Sequence, residues 1–212
     1  MNCNRYILFL LLVISISSYS QGFKGGISAG LNSARIDNDR HEIWGKMGLN
    51  VGTFVERDIL PDVFGWVGEI KYTARGKYQG PTLTNPGIDK IDLKYLELPI
   101  GLYYRLNPEF SFQLGLSPDV LLSQRYFDEN GLLDNPDPIY GSPSEDGDQL
   151  FYFGITGFAG ANYFFHEKIA VGLRFNYSLI PFYKFDGYTD WYWNSGFFHD
   201  VLSINLRYYL VK

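Results

Sequence analysis

Cysteine is almost missing from this 212-residue sequence, and its single copy, Cys3, stands ahead of an apolar run at the extreme N-terminus. Asn4-Arg5, the apolar stretch Tyr6 to Ile16 and the small residues Ser17 to Ser20 read as a cleaved export signal ending before Gln21. The apolar stretch is too short to anchor the chain as a bilayer-spanning helix. Cys3 precedes that stretch, so it is no acylation site, and it leaves with residues 1–20. The remaining domain, residues 21–212, then has no cysteine, which excludes disulfides, thiolate metal sites and a cysteine nucleophile. Histidine is scarce too: His41, His166 and His199 stand far apart, in no metal-ligand spacing. No later apolar run approaches a transmembrane helix, and no stretch carries a long helical period. The glycines are followed by no helix start, so dinucleotide and phosphate loops are excluded, and no cofactor is called for.

What is abundant is aromatic: 17 Tyr, 17 Phe and 4 Trp, beside 23 Gly. From Leu93 to Ser123 the chain alternates with period two. Leu96, Leu98, Ile100, Leu102 and Tyr104 are apolar, set against Tyr95, Glu97, Pro99, Gly101, Tyr103 and Arg105. After Asn107-Pro108, Phe110, Phe112, Leu114 and Leu116 alternate with Ser111, Gln113, Gly115 and Ser117. This is a hairpin of two strands, each with one greasy and one polar face. Pro99 gives up a ladder donor and predicts a bulge or local break.

The same alternation predicts eight strands: Phe23 to about Ser33, Lys46 to Arg57, Phe64 to Arg75, the two hairpin strands, Leu150 to Phe164, Ile169 to about Ser178, and Val201 to Leu210. Connections after the even-numbered segments are short, near Leu60-Asp62, Asn107-Pro108 and His166-Glu167, whereas those after the odd-numbered ones are long. A soluble sandwich gives no such asymmetry, but an outer-membrane barrel with short periplasmic turns and long extracellular loops does. Aromatics near strand ends read as interfacial girdles: Tyr103, Tyr104, Tyr163, Phe164, Phe165, Tyr208 and Tyr209 on the turn side, and Trp44, Tyr72, Tyr183, Trp191 and Trp193 on the loop side. The expected fold is all-β, an eight-stranded antiparallel transmembrane β-barrel.

The stretches FKGGISAGLN, YLELPIGLYYR, GLRFNYSL and the closing LSINLRYYL resemble the PorT-like outer-membrane β-barrel family of Bacteroidota. The most specific piece is Tyr95-Leu96-Glu97-Leu98-Pro99. The resemblance spans nearly all of residues 21–212 and implies an outer-membrane barrel with both termini in the periplasm. It also implies a role in an envelope or secretion assembly. The chain departs from many such barrels by ending Leu210-Val211-Lys212 rather than on an aromatic.

With the apolar faces in lipid, the other faces fill the lumen, and eight strands enclose only enough space for side chains. Glu69, Lys71, Arg75, Glu97, Arg105, Arg174 and Arg207 are expected to form a paired polar network there, since buried charges must be compensated. Glu97 is its expected centre, with Arg105, Arg174 and Arg207 as partners. Such a network reads as a structural plug; a small-solute channel is the alternative. A soluble lipid-binding barrel would need an apolar interior, which these residues deny.

Two loops stand out. Gln124 to Gln149 holds Asp128, Glu129, Asp134, Asp137, Glu145, Asp146 and Asp148 against Arg125 alone, a net −6. The whole chain carries −5, or −6 once Arg5 is lost, so the rest is neutral. The spacing matches no calcium loop, leaving a solvated acidic loop, a surface for a basic partner, or divalent ions bridging lipopolysaccharide. The last loop gathers Tyr188, Trp191, Tyr192, Trp193, Phe197 and Phe198, which suits packing over the mouth, lipid contact or a partner site. The expected partners are outer-membrane lipid and lipopolysaccharide, the barrel-assembly machinery during biogenesis, and an envelope protein; nothing calls for nucleic acid. A lipid-hydrolase reading would need His199 with Ser203 or Ser195 and Asp200 at the rim, without motif support. The chain is therefore expected to be non-enzymatic.

Overall fold

The computed structural model describes residues 22–37, 44–79, 89–128, 131–132, 149–150, 152–184 and 196–211. The period-two alternation becomes β1 (Phe23–Asp37), β2 (Lys46–Leu60), β3 (Phe64–Gln79), β4 (Asp89–Glu97), β5 (Ile100–Arg105), β6 (Phe110–Asp128), β7 (Gly131–Leu132), β8 (Gln149–Leu150), β9 (Phe153–His166), β10 (Ile169–Ser178), β11 (Tyr183–Lys184) and β12 (Gly196–Val211). Neighbours pair antiparallel in the order β1, β2, β3, β4 with β5, β6, β9, β10, β12, and β12 returns to β1. That last pairing, from Asp37↔Phe198 to Gly25↔Val211, closes the sheet into a ring of eight staves. Closure removes the bare edges that an open sheet would present.

Strands β4 and β5 are one stave, broken at Leu98-Pro99 where the missing proline donor interrupts the ladder. The break is bridged on both sides. Leu98 N donates to Pro118 O at 2.9 Å, and Glu69 N donates to Pro99 O at 2.8 Å.

The burial pattern is inverted relative to a soluble domain. Leu114 (68%), Leu49 (64%) and Ile100 (62%) stand exposed on the outer wall, while Arg75 (1%), Glu56 (3%) and Arg207 (3%) are buried inside. An apolar exterior around a polar interior suits a wall immersed in hydrocarbon, where backbone groups must find their partners within the protein. The three short turns, 61–63, 106–109 and 167–168, lie at one end, and the longer connections at the other.

Several strands run further than the alternation alone indicates. β1 continues to Asp37, β3 to Gln79 and β6 to Asp128; β4 begins at Asp89 and β12 at Gly196. Above the apolar belt the outward positions are Arg35, Asp92, Lys94 and Arg125. Pairing persists there, but an outward side chain meets water and no longer needs to be apolar.

The girdle assignment needs correction on the turn side. Tyr104, Tyr163, Phe165 and Tyr208 do face outward, but Tyr103, Phe164 and Tyr209 are buried in the lumen. They sit on the opposite parity of their strands, so aromatics adjacent in sequence divide between belt and plug.

Candidate functional site: the filled lumen

At the turn end, Phe54, Phe164, Ala170 and Tyr209 form an apolar floor. Phe54 and Tyr209 meet edge to face at 4.8 Å. At the loop end, Ile36, Ile91, Leu93, Tyr95, Leu121, Phe182 and Phe197 form an apolar cap. The segment after β10 supplies Phe182, whose backbone N donates to Phe197 O at 3.0 Å. Mouth-packing by the last long loop is therefore seen at Phe182 and Phe197. Trp191, Tyr192 and Trp193 lie outside the described residues.

Between floor and cap lie the charges. Arg174 on β10 reaches Glu69 on β3 with Nη1 and Nη2, at 2.8 and 2.7 Å, and Nη2 also donates to Gln113 Oε1 at 2.8 Å. Lower down, Arg207 Nη2 donates to Glu56 Oε1 at 2.9 Å, and Tyr209 Oη lies 3.2 Å from both Glu56 oxygens. Higher up, Arg75 Nη2 lies 2.9 Å from Asp119 Oδ2 and Nη1 lies 3.7 Å from Glu97. Thr156 donates to the same Asp119 oxygen at 2.8 Å. Four carboxylates (Glu56, Glu69, Glu97, Asp119) thus face four cations (Lys71, Arg75, Arg174, Arg207), which offsets much of their desolvation.

Aromatic faces hold the guanidiniums in place. Arg75 lies 3.7 Å from the Tyr95 ring centroid, Arg207 4.0 Å from Phe54 and Arg174 4.4 Å from Phe158. Phe158 itself needs room. It lies over Gly101 and Gly115, paired directly across β5 and β6, where added Cβ atoms would come within 2.9 and 2.7 Å of its ring.

Six of the seven expected network residues lie together: Glu69, Lys71, Arg75, Glu97, Arg174 and Arg207. Arg105 does not join them. It lies at the turn end, 3.1 Å from Asp62, near the separate pair of Lys24 with Asp58 at 2.9 Å; Asp58 also accepts from Tyr103. Glu97 is correspondingly not the centre. Its guanidinium neighbour is Arg75, whereas Arg174 and Arg207 converge on Glu69. Asp119 and Gln113 were not assigned to the network from the sequence. Gln113 lies on the Ser111, Gly115, Ser117 parity, and Asp119 continues that parity past Pro118.

His199 is not a rim residue. It points into the lumen, 1% exposed, stacked 4.0 Å from Phe182, with Nε2 3.4 Å from Tyr95 Oη. Asp200 has the opposite parity and accepts from Arg35 Nε at 2.6 Å. Ser203, four residues along β12, is roughly 13 Å away at ordinary strand rise. These three residues therefore do not assemble a nucleophile, base and orienting acid. Among the described residues no group of three His, Cys, Asp or Glu side chains converges as a metal site. Asp128 ends β6 with its side chain undescribed, and Glu129, Asp134, Asp137, Glu145, Asp146, Asp148, Ser195 and His41 lie outside the described residues.

A closed eight-stave ring, apolar outside and filled with paired charges, defines an integral outer-membrane β-barrel. The outer membrane protein beta-barrel domain family matches residues 6–198, and the chain belongs to that family; its location is the cell outer membrane. Among solved structures it is similar to Ail, the attachment invasion locus protein of Yersinia pestis: 15% identity over 89% of this chain and 99% of that one, TM-score 0.48. Neisserial surface protein A gives 15% identity over 88% and 96%, TM-score 0.48. OprG of Pseudomonas aeruginosa gives 14% over 88% and 92%, TM-score 0.34. No curated protein matches the chain.

Proposed function

We propose that the chain is a non-enzymatic structural or interaction barrel whose working surfaces are its extracellular loops and periplasmic turns. The observation that carries this reading is the filled lumen. The cavity at the Glu69–Arg174 level has a volume of about 10 Å³, room for a single water-sized particle. That disfavours the alternative of a small-solute channel, and the separation of His199 from Asp200 and Ser203 disfavours a lipid hydrolase. The finer kinship, with the PorT-like barrels of Bacteroidota and hence with an envelope or secretion assembly, is carried by the Tyr95-Leu96-Glu97-Leu98-Pro99 stretch. In this reading residues 1–20 are a leader removed on export. Asp128, Glu129, Asp134, Asp137, Asp146 and Asp148, with Trp191, Tyr192 and Trp193, form the partner surface. Outer-leaflet lipopolysaccharide surrounds the apolar belt, and the barrel-assembly machinery acts during insertion.

The test is purification of the natively expressed barrel from detergent-solubilised outer membrane, beside a variant with residues 133–148 replaced by a short Gly-Ser linker. That replacement spares β6 and its pairing with β7. Envelope proteins that co-purify with the wild type and vanish from the variant support the reading. A solitary barrel in both samples removes the acidic loop as a docking surface.

A further inference from the structure

The luminal cavity is lined by Ser28, Glu69, Lys71, Gln113, Asn162, Arg174, Asn205 and Arg207, together with wall glycines. Three cations thus face one carboxylate. Both oxygens of Glu69 are engaged, Oε2 by Arg174 Nη1 and Oε1 by Arg174 Nη2, with Arg207 Nη1 3.5 Å from Oε1. Arg174 is thereby paired to Glu69, and Arg207 to Glu56.

Lys71 is the cation left over. It is 3% exposed, yet it makes no ion pair with any carboxylate among the described residues. Its cross-strand neighbour Glu97 lies off the cavity and is nearest Arg75. Glu69 and Glu97 thus balance its charge only from beyond bonding distance, and a buried ammonium with no carboxylate bonded to it is costly to hold.

The buried atoms without a hydrogen-bond partner around this space are mostly donors. They are Gln113 Nε2, Arg207 Nε and Nη1, and the Ser28 hydroxyl. Asn205 adds an amide that can present either its oxygen or its nitrogen. Water can accept from two of these donors, but three cations over one carboxylate favour an anionic occupant, which accepts from the ammonium, the amide and the hydroxyl together. We infer that the lumen contains a buried site for one monatomic anion of chloride size, held by Lys71 with Gln113, Arg207 and Ser28. The space admits about one water-sized particle, so of the anions only a monatomic one approaches its size, and chloride, larger than water, would fill it completely.

The whole barrel, folded in detergent micelles, is the material for the test, with folding verified by heat-modifiable gel mobility. Crystals grown in bromide are expected to show an anomalous peak in the lumen within contact distance of Lys71 Nζ and Gln113 Nε2. Chloride-35 line broadening in solution is expected to fall at least tenfold in Lys71→Met. Should Lys71→Met fail to fold, Gln113→Glu is the second variant: its tethered carboxylate replaces the ion, and the bromide peak disappears in a folded barrel. A wild-type lumen with a water at this position and no anomalous signal in saturating bromide overturns the inference. So does an undiminished bromide peak in the folded Lys71→Met or Gln113→Glu barrel.

Discussion

Arg174 and Glu69 lie 105 positions apart in the chain and on staves that stand four places apart in the ring of eight, yet they meet through two hydrogen bonds of 2.8 and 2.7 Å. The pair is a strut across the full width of the lumen. Because Glu69 also faces Arg207 and Lys71, its loss strands more charge than the loss of Arg174. Glu69→Gln is expected to destabilise the barrel by about 3–5 kcal/mol, and Arg174→Met by less. The double variant should show about 1–3 kcal/mol of coupling in reversible unfolding from lipid vesicles. Additive effects would mean that the strut bears no load.

Tyr209 was expected in the lipid girdle, and its position inside makes a different claim about its hydroxyl. Tyr209→Phe keeps the edge-to-face packing on Phe54 but leaves the Glu56 carboxylate with Arg207 as its remaining partner. A loss of about 1.5–3 kcal/mol is expected, the usual size for a hydrogen bond to a charged group. A girdle tyrosine would tolerate the change.

Phe158 joins the Gly101–Gly115 seat to the Arg174 guanidinium. Phe158→Ala is expected to cost about 3–5 kcal/mol through lost burial and the cavity left behind. Single-channel recording in planar bilayers checks the companion outcome. The wild type is expected to stay closed, and Phe158→Ala to give brief openings, since the strut loses the ring beneath it.

The outer wall supplies a depth test. Leu114→Arg, in the belt on β6, is expected to cost about 2–4 kcal/mol in a bilayer, whereas Val63→Arg at the turn-end interface should cost about 0–1 kcal/mol. Equal costs at the two positions would contradict the placement of the belt.

The parity of each strand was legible from the sequence because lipid imposes it residue by residue, as at Leu96, Leu98 and Ile100 against Glu97. Partner choice was not. Whether Glu97 meets Arg75 or Arg174 depends on stagger around the ring, which no single strand records. Asp119 is missed because the named alternation stops at Ser117, although the strand runs on and the ladder bridges Pro118. His199 was misplaced for a related reason: β12 begins at Gly196 rather than Val201, which sinks the histidine below the mouth. Arg105 carries the right charge at the wrong height, one stave end away from the network.

The pairing of β1 with β12 has a consequence for how the protein comes to exist. The first stave waits for the last one, so no intermediate length of chain can form the ring, and the contact that completes it spans almost the entire sequence. Until the sixteen residues of β12 arrive, the growing sheet carries two long hydrogen-bonding margins and an unsheltered apolar wall. Completion is therefore all-or-none: a chain cut short before Gly196 lacks more than an end, because it has no closed form to adopt and is left as a substrate for aggregation or proteolysis.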